Sequence, residues 1–388
     1  MFSSRVPGVL NLNRLSSAVA AHRAAGREVV DLTVTNPTTV GISYDPDILA
    51  PLSDARGTTY QPEPFGLMTA RAAVASDYAR RGISVAEDRI VLTASTSEAY
   101  SLLFKLLCAP AGDEVLVPAP SYPLFDHLTQ LDGVTSRQYA LEYHGRWELA
   151  VDSVDRAWME RTRAILAVSP NNPTGSMLAA TEVGALASRC AERDAALIVD
   201  EVFADYAFGG PRDVGEPAGK HDCLSFHLGG LSKSAGLPQV KLGWIRLDGP
   251  DQLVAAACER LELISDTYLS VSTPVQLAAP ALIESGAKIR RQIQDRIQTN
   301  HAALQAAVAA HPSVELLAAD GGWSAVLRVP SRWSEEDLVI ALLTDCEVLV
   351  HPGFFFDFAH EAFLVVSLLP DPVVFADGVG RVMEHVGG

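Results

Sequence analysis

Hydrophobic and polar residues alternate along the chain in blocks that predict a mostly parallel sheet covered by helices. Short apolar runs of the kind that form buried strands lie at 89–93, 114–118, 164–168, 196–200 and 223–228. Stretches with apolar residues at helical spacing separate several of them. Strands that are buried on both faces and connected through helices pair in parallel. We therefore expect an α/β fold with helices on both faces of the sheet.

The two ends of the chain show a different pattern. A helical pattern at 12–25 precedes a short strand-like run at 29–37, and two further helices are predicted at 252–266 and 288–311. Beyond them, strand-like runs at 314–317, 325–329, 348–350 and 363–367 surround one helix at 335–344. We interpret residues 46–285 as a large domain and residues 286–388 as a smaller α+β domain, which the N-terminal segment 1–45 joins.

Charge and cysteine content exclude several classes of function. The 388 residues carry a formal net charge of −17. A basic surface that could bind nucleic acid or an anionic membrane is therefore not expected. The five cysteines are far apart and have no metal-ligand spacing, so no metal site is predicted. The N-terminus has no signal-peptide pattern, and no apolar run is long enough to cross a membrane. Cytoplasm is the expected location.

One lysine has a setting that favours covalent chemistry. Lys233 follows the strand-like run 223–228 and lies among small residues, in Leu-Ser-Lys-Ser-Ala-Gly. A lysine there can reach the edge of a sheet, and a reactive amine at such a place typically forms a Schiff base with an aldehyde cofactor, usually pyridoxal phosphate. A solvated loop lysine is the alternative for this short motif taken alone.

Three other predicted strands end in polar residues of the kinds that could bind such a cofactor. Ser95, Thr96 and Ser97 stand at a predicted helix start, which is a phosphate-binding arrangement as well as an ordinary cap. Ser169-Pro-Asn-Asn-Pro-Thr-Gly is a rigid turn that carries Asn172. Asp200 ends a buried strand, where a carboxylate is costly unless it meets a cation such as a protonated pyridine nitrogen.

The ordered set Asn-Pro-Thr-Gly, Asp-Glu-Val and Ser-Lys resembles the class I/II aminotransferases, the fold-type-I pyridoxal-phosphate enzymes, over nearly the whole chain. The resemblance implies a homodimer with shared active sites and implies roles for individual residues. Lys233 would be the Schiff-base lysine, Asp200 the partner of the pyridine nitrogen, and Asn172 a donor to the ring oxygen. Tyr122 would stack on the ring. The phosphate would be held by Ser95, Thr96, Ser97, Ser232 and Lys241, and by Tyr60 of the neighbouring subunit.

Several positions depart from the family pattern. Phe203 replaces a tyrosine that donates to the ring oxygen, Lys241 replaces a phosphate-binding arginine, and Gly230 replaces a serine. Val365 stands where the family has the arginine that binds the substrate carboxylate. Arg5 and Arg328 are candidates for that task. Tyr268 and Trp323 are candidates for an aromatic pocket wall, with core packing as the alternative for both.

Three functions are compatible with this sequence. The first is an aminotransferase that moves an amino group between an amino acid and a 2-oxo acid. The second is another pyridoxal-phosphate enzyme on the same scaffold, namely a lyase, decarboxylase, cyclase or oxidase, which Val365 and Phe203 favour. The third is a non-catalytic sensor that binds the cofactor, but the acidic chain lacks a basic module for DNA binding.

Overall fold

The structure is a computed structural model that describes residues 2–8, 12–209, 222–269 and 271–387. Its strands, in chain order, are β1 (Val30–Asp31), β2 (Ile90–Thr93), β3 (Glu114–Ala119), β4 (Thr135–Tyr143), β5 (Trp147–Leu149), β6 (Thr162–Val168), β7 (Ala196–Asp200), β8 (Ser225–Gly230), β9 (Gly243–Asp248), β10 (Glu315–Leu316), β11 (Ser324–Arg328), β12 (Val348–Leu349), β13 (His351–Pro352) and β14 (Phe363–Ser367).

The helices cover these strands and join the two parts of the molecule. In chain order they are α1 (Arg14–Ala24), α2 (Met68–Arg80), α3 (Thr96–Leu107), α4 (Leu124–Asp132), α5 (Val151–Ala157), α6 (Ala180–Glu192), α7 (Leu231–Ser234), α8 (Asp251–Tyr268), α9 (Thr273–Ala309), α10 (Glu335–Asp345) and α11 (Pro372–Gly387).

Strands β2 to β9 form one sheet in the order β2-β9-β8-β7-β6-β3-β4-β5. The pairs β3–β4, β3–β6, β6–β7 and β7–β8 are parallel, whereas β9 is antiparallel to both of its neighbours and β5 is antiparallel to β4. Because β9 lies antiparallel to β8 and to β2, those two strands run in the same direction. The carboxyl ends of β2, β3, β6, β7 and β8 therefore lie at one edge of the sheet.

Alternate residues of the central strands pack on opposite faces of this sheet. Leu197 and Val199 belong to one apolar cluster, and Ile198 between them belongs to another. The first cluster continues into α5 and α6, and the second continues into α3 and α8. A sheet buried on both faces in this way agrees with the predicted α/β fold.

The smaller unit contains an antiparallel sheet with the order β10-β11-β14-β13. The N-terminal segment joins it through β1, which pairs in parallel with β12. Helix α11 packs closely against β1, since a Cβ added at Gly378 would lie 2.7 Å from Val30 Cγ1. The predicted fold, a large mostly parallel sheet with a smaller domain from both chain ends, is confirmed.

One predicted helix is longer than the sequence pattern indicated. Helix α9 begins at Thr273 rather than at residue 288. Pro274 does not prevent this, because it lies in the first turn, where proline is tolerated. A second proline, Pro280, lies inside the helix. The helix therefore runs through the predicted boundary between residues 285 and 286 without a break. The three domain ranges stay a prediction. Among the described residues, no helix is both long and apolar enough to span a membrane.

Candidate active site

A cavity of about 250 Å³ lies where the carboxyl edge of the large sheet faces β11 of the smaller unit. Eight of the ten residues that the sequence assigns to the site line it: Ser95, Thr96, Ser97, Tyr122, Asn172, Asp200, Ser232 and Lys233. The other lining residues are Thr35, Tyr100, Leu124, Phe125, Leu128, Val168, Val202, Phe203, Gly230, Leu242, Gly243, Trp323 and Ser324.

Lys233 is held by its backbone and leaves its amine in the cavity. It lies in α7, directly after β8, and the Tyr206 hydroxyl donates a hydrogen bond to its carbonyl oxygen at 2.6 Å. The Nζ atom lies 4.8 Å from the centre of the Trp323 ring and 5.5 Å from that of Phe203. Burial disfavours the ammonium form and lowers the pKa of Lys233 to about 8, although Asp200 acts in the opposite direction.

Asp200 ends β7 beside the ends of two neighbouring strands, in register with Val168 and Leu228. Its Oδ1 accepts the backbone N–H of Val202 at 3.1 Å, and its Oδ2 accepts the hydroxyl of Tyr100 at 2.9 Å. Burial raises the pKa of Asp200 to about 6, while these two hydrogen bonds act to lower it. Within the described residues this carboxylate has no ion-pair partner closer than 4 Å, so a cationic ligand would fit beside it.

In the turn after β6, the side-chain amides of two adjacent asparagines have different roles. Asn171 is buried and fixes the loop, because its Nδ2 donates to the carbonyl oxygen of Pro120 at 3.0 Å and to Thr174 Oγ1 at 2.9 Å. Asn172 lines the cavity, where its Oδ1 accepts the hydroxyl of Ser324 at 3.3 Å. The turn thus presents one amide to a ligand.

The N-terminus of α3 forms another part of the cavity wall. Ser95 caps the helix by accepting the Glu98 N–H at 3.1 Å. The N–H groups of Thr96 and Ser97 have no acceptor within the helix, as is general for a first turn, and their side chains line the cavity. Gly243 packs against this turn, since a Cβ there would lie 3.1 Å from the Ser95 carbonyl carbon. The arrangement suits a phosphate group.

Two of the ten residues do not line the cavity. Lys241 is exposed and adopts a left-handed backbone conformation with φ +59°. Tyr60 is 66% exposed, which agrees with an expected contact to a neighbouring subunit. Their roles at the cofactor stay predictions.

Sequence reasoning missed Tyr100 and Ser324. Tyr100 lies one helical turn after Thr96, so its place on the same side of α3 is visible in the spacing. Ser324 comes from β11 in the other sheet, and no local pattern connects it with the strand ends. Trp323 does line the cavity, whereas Tyr268 is 56% exposed and does not.

The position of the family's carboxylate-binding arginine is apolar. Val365 is 2% exposed and packs in a cluster with Trp147, Leu317, Val326 and Phe356. Arg5 and Arg328, the two alternative candidates, are exposed and lie outside the cavity lining. Among the described residues that line the cavity, Lys233 is the only cationic one.

Comparison with known proteins agrees with this geometry. The model of the family "Aminotransferase class I and II" matches residues 31–372. Glutamate-pyruvate aminotransferase AlaA of Haemophilus influenzae is 27% identical over 258 residues, which are 65% of this chain and 63% of that protein. Alanine aminotransferase of Mycobacterium tuberculosis is 26% identical over 66% of this chain and 60% of its own length. The matches thus span less than two thirds of these relatives.

Solved structures share the whole fold. Alanine aminotransferase from Pyrococcus furiosus superposes with a TM-score of 0.89 at 22% identity, over 100% of this chain and 99% of that one. A single mutant of Thermus thermophilus aspartate aminotransferase gives 0.84 at 20% identity, over 99% of each chain. With the family match over most of its length, the chain belongs to the class I and II aminotransferases, a pyridoxal-phosphate-dependent family.

Proposed function

We propose that this protein is a pyridoxal-phosphate-dependent aminotransferase that moves an amino group between an amino acid and a 2-oxo acid. The observation that carries the proposal is the convergence of Lys233, Asp200 and the first turn of α3 on one cavity. These three features supply an amine, a carboxylate and a phosphate-binding helix end. The named activities of the curated relatives agree with it.

The cavity fits the cofactor in its donor groups. Lys233 would bond covalently to the aldehyde, and Asp200 would face the ring nitrogen. Asn172 would donate to the ring oxygen, and Tyr122, which is 45% exposed at the cavity mouth, would stack on the ring. The phosphate would be held by Thr96, Ser97 and Ser232 together with the N–H groups of α3. When bound, pyridoxal phosphate supplies an electron-withdrawing ring that stabilises charge on the substrate Cα.

Lys233 would also act as the proton carrier. With a pKa of about 8, roughly a tenth of its amine is neutral at pH 7, and in that form its Nζ can accept a proton from the substrate Cα. The Trp323 and Phe203 rings flank Nζ and would shield this path from water. The carboxylate of Asp200 would keep a proton on the ring nitrogen.

Val365 favours a second candidate function. Because a buried valine occupies the place of the family's arginine, another pyridoxal-phosphate enzyme on the same scaffold, such as a lyase or a decarboxylase, is the alternative. Fold alone does not distinguish these reactions.

One experiment distinguishes the aminotransferase from the second candidate function. The cofactor-loaded protein is mixed with single amino acids and no acceptor, and released products are quantified. We expect at most one equivalent of 2-oxo acid per subunit, and continued turnover once a different 2-oxo acid is added. Continuous release of ammonia or carbon dioxide without an acceptor would replace this function with the second one.

Two variants connect the activity to the site. Lys233→Ala is expected to reduce turnover by more than about a thousandfold, since both the covalent bond and the proton carrier are lost. Asp200→Asn is expected to retain the cofactor but lose most activity. Wild-type rates in either variant would contradict the assigned roles.

A homodimer with shared sites and a cytoplasmic location belong to the same proposal. The exposure of Tyr60 supports the first, because its family counterpart reaches the neighbouring subunit's phosphate. The acidic composition supports a small-molecule substrate rather than nucleic acid.

A further inference from the structure

The loop that carries Lys233 depends on other parts of the chain for its conformation. Helix α7 spans only four residues, Leu231–Ser234, and is too short to be stable through its own hydrogen bonds. No further helical turn follows to donate to its last carbonyl groups. Side chains from elsewhere therefore decide how firmly the backbone at Lys233 is held.

Three side chains donate hydrogen bonds to carbonyl groups in or just after α7: Tyr206 to Lys233 at 2.6 Å, Arg290 to Ser234 at 2.8 Å and Tyr44 to Gly236 at 2.7 Å. The donors come from the turn after β7, from α9 and from the N-terminal segment. Three distant parts of the chain thus meet at one loop.

Arg290 is itself held in place by two carboxylates. Its Nε lies 3.4 Å from Asp205 Oδ2, and its Nη2 lies 3.6 Å from Asp77 Oδ1. Arg80 contacts the same two carboxylates, at 2.6 Å from Asp205 and 3.0 Å from Asp77. The Arg290 side chain is only 12% exposed, so its guanidinium is confined between these carboxylates and the Ser234 carbonyl group.

Helix α9 also approaches the loop closely. A Cβ added at Gly286, one turn before Arg290, would lie 2.5 Å from Ala235 Cβ, and one added at Gly236 would lie 2.7 Å from Ile289 Cγ2. Residues three and four apart share a helix face, so Gly286, Ile289 and Arg290 belong to one face of α9. This face packs against the backbone that follows Lys233.

We propose that Arg290 and Tyr44 are positioning residues for Lys233. Neither is among the described residues that line the cavity, so they act through the backbone of the loop and keep Nζ where it can react with the cofactor aldehyde. The inference rests on the proposed function in one respect, the bond between Lys233 and pyridoxal phosphate.

Formation of that bond is sensitive to placement. Neutral Nζ adds to the aldehyde carbon, and one water molecule leaves, with its oxygen from the aldehyde and both hydrogens from the amine. A displacement of about 1 Å can slow a reaction between held groups by about a hundredfold. Loosening the loop should therefore slow the capture of the aldehyde more than it weakens the rest of the site.

Two ligands distinguish the placement of the amine from the general integrity of the site. The apoprotein is mixed with pyridoxal phosphate, and the rate of covalent capture is measured by stopped-flow absorbance at a pH at which the amine is neutral. 4′-Deoxypyridoxine 5′-phosphate has the same ring and phosphate but no aldehyde, and calorimetry gives its Kd. We expect Arg290→Ala to slow capture about ten- to a hundredfold and to leave the Kd of the analogue unchanged.

Matched variants serve as controls. Arg381 makes the same kinds of contact in α11, since it donates to the Cys346 carbonyl oxygen at 3.1 Å and lies 2.8 Å from Asp377. Arg381→Ala should therefore leave the capture rate unchanged. Tyr44→Phe should slow capture about three- to tenfold, the loss of one neutral hydrogen bond, whereas Tyr139→Phe removes a hydroxyl bonded to a different carbonyl group and should not.

The outcomes separate this inference from the proposed function. Normal capture in Arg290→Ala, or binding of the analogue weakened as much as capture is slowed, would overturn the positioning role and leave the aminotransferase. If Arg290→Ala does not fold, normal capture in Tyr44→Phe would overturn it instead. The expected capture rates without transfer of an amino group would remove the aminotransferase and leave the positioning role, and no capture by the wild-type protein would remove both.

Discussion

At the scale of single residues, the surroundings of Lys233 strongly alter its amine. The rings of Trp323 and Phe203 lie within 5.5 Å of Nζ, and burial lowers its pKa from 10.5 to about 8. Roughly a tenth of the amine is then neutral at pH 7, compared with less than a thousandth for an ordinary lysine. The setting prepares this lysine for attack on an aldehyde.

Covalent capture of pyridoxal phosphate by the apoprotein should therefore accelerate as the pH rises. Only the neutral amine attacks, so the rate is expected to level off above a midpoint near pH 8. Stopped-flow absorbance of the free aldehyde measures the rate of this capture. In Asp200→Asn the midpoint should move to lower pH, because the charge that raises the lysine pKa is removed. A midpoint near 10.5 would show that burial does not act as described.

Tyr100 is expected to position the Asp200 side chain and to favour its ionised form. Its hydroxyl stabilises the carboxylate, so Tyr100→Phe should raise the pKa of Asp200 above its value of about 6. Glu201, Lys233 and Tyr122 also act on this group electrostatically and remain unchanged. The variant should bind pyridoxal phosphate about five- to tenfold more weakly at pH 7, with affinity falling as the pH is lowered. Equilibrium binding between roughly pH 6 and 8 measures this.

A buried tyrosine of another region provides the control for Tyr100. Tyr139 donates its hydroxyl to the carbonyl oxygen of Leu166 at 2.8 Å and does not line the cavity. Tyr139→Phe should leave cofactor affinity unchanged. In an Asp200→Asn background, Tyr100→Phe should have little further effect. Equal effects of Tyr100→Phe with and without Asp200 would exclude a positioning role.

At the scale of elements, a charged network lies on the sheet face opposite to Asp200 and consists of Glu201 directly after β7, His227 in β8 and Arg246 in β9. Glu201 Oε1 lies 2.8 Å from His227 Nδ1, and its carboxylate also lies 3.3 Å from Arg81 and 3.7 Å from Arg246. Burial, followed by the charge of Arg246, lowers the pKa of His227 to about 4. The imidazole is therefore neutral near pH 7, and its contact with Glu201 is a hydrogen bond between a neutral donor and an anion.

This network makes the fold sensitive to acid. Because the pKa of His227 is about 4 in the folded state and near 6.5 when unfolded, the unfolded chain binds more protons between these values. The free energy of unfolding should therefore fall as the pH drops from 6.5 to 4. His227→Asn, which keeps an N–H donor, should lose this part of the pH dependence, as chemical denaturation would show. His144→Asn, at an exposed position, should keep it.

The network also explains why the pattern of residues did not predict β9. Strand β9 reads Gly-Trp-Ile-Arg-Leu-Asp, and Arg246 in its middle looks like a surface residue. It is 1% exposed, and its charge faces Glu201, which directly follows β7 and lies 3.7 Å away. Strand β14 contains no charged residue and β7 has one only at its end, Asp200, and the ends of both strands agree with the predicted ones.

At the scale of the whole molecule, large apolar side chains remain at the surface. Tyr60, Met68, Leu263, Tyr268 and Leu269 are each more than half exposed. Where such residues form a contiguous patch, the patch typically marks a protein contact. The proposed homodimer would cover part of this surface and bring Tyr60 to the partner's cofactor.

Mixed dimers test whether sites are shared. Lys233→Ala and Tyr60→Phe subunits are unfolded, mixed in equal amounts and refolded, and activity is measured at limiting cofactor. If Tyr60 acts across the interface, each hybrid has one site with both native residues, so about a quarter of wild-type activity should appear. If Tyr60 acts within its own subunit, no hybrid site is intact and activity should not exceed that of the Tyr60→Phe parent. Separately refolded subunits are the control.

The sequence by itself determined the parts of this protein that depend on local pattern. Apolar runs predicted the buried strands, and polar residues directly after them predicted Lys233, Asp200, Asn172 and Ser95–Ser97 at one edge, because parallel strands end together. Only the tertiary structure decided the contacts between distant segments: Tyr100 with Asp200, Arg246 with Glu201, and Ser324 with Asn172. Hydrophobic periodicity specifies which face of an element is buried, whereas the partner of a buried polar group depends on the packing of the whole chain.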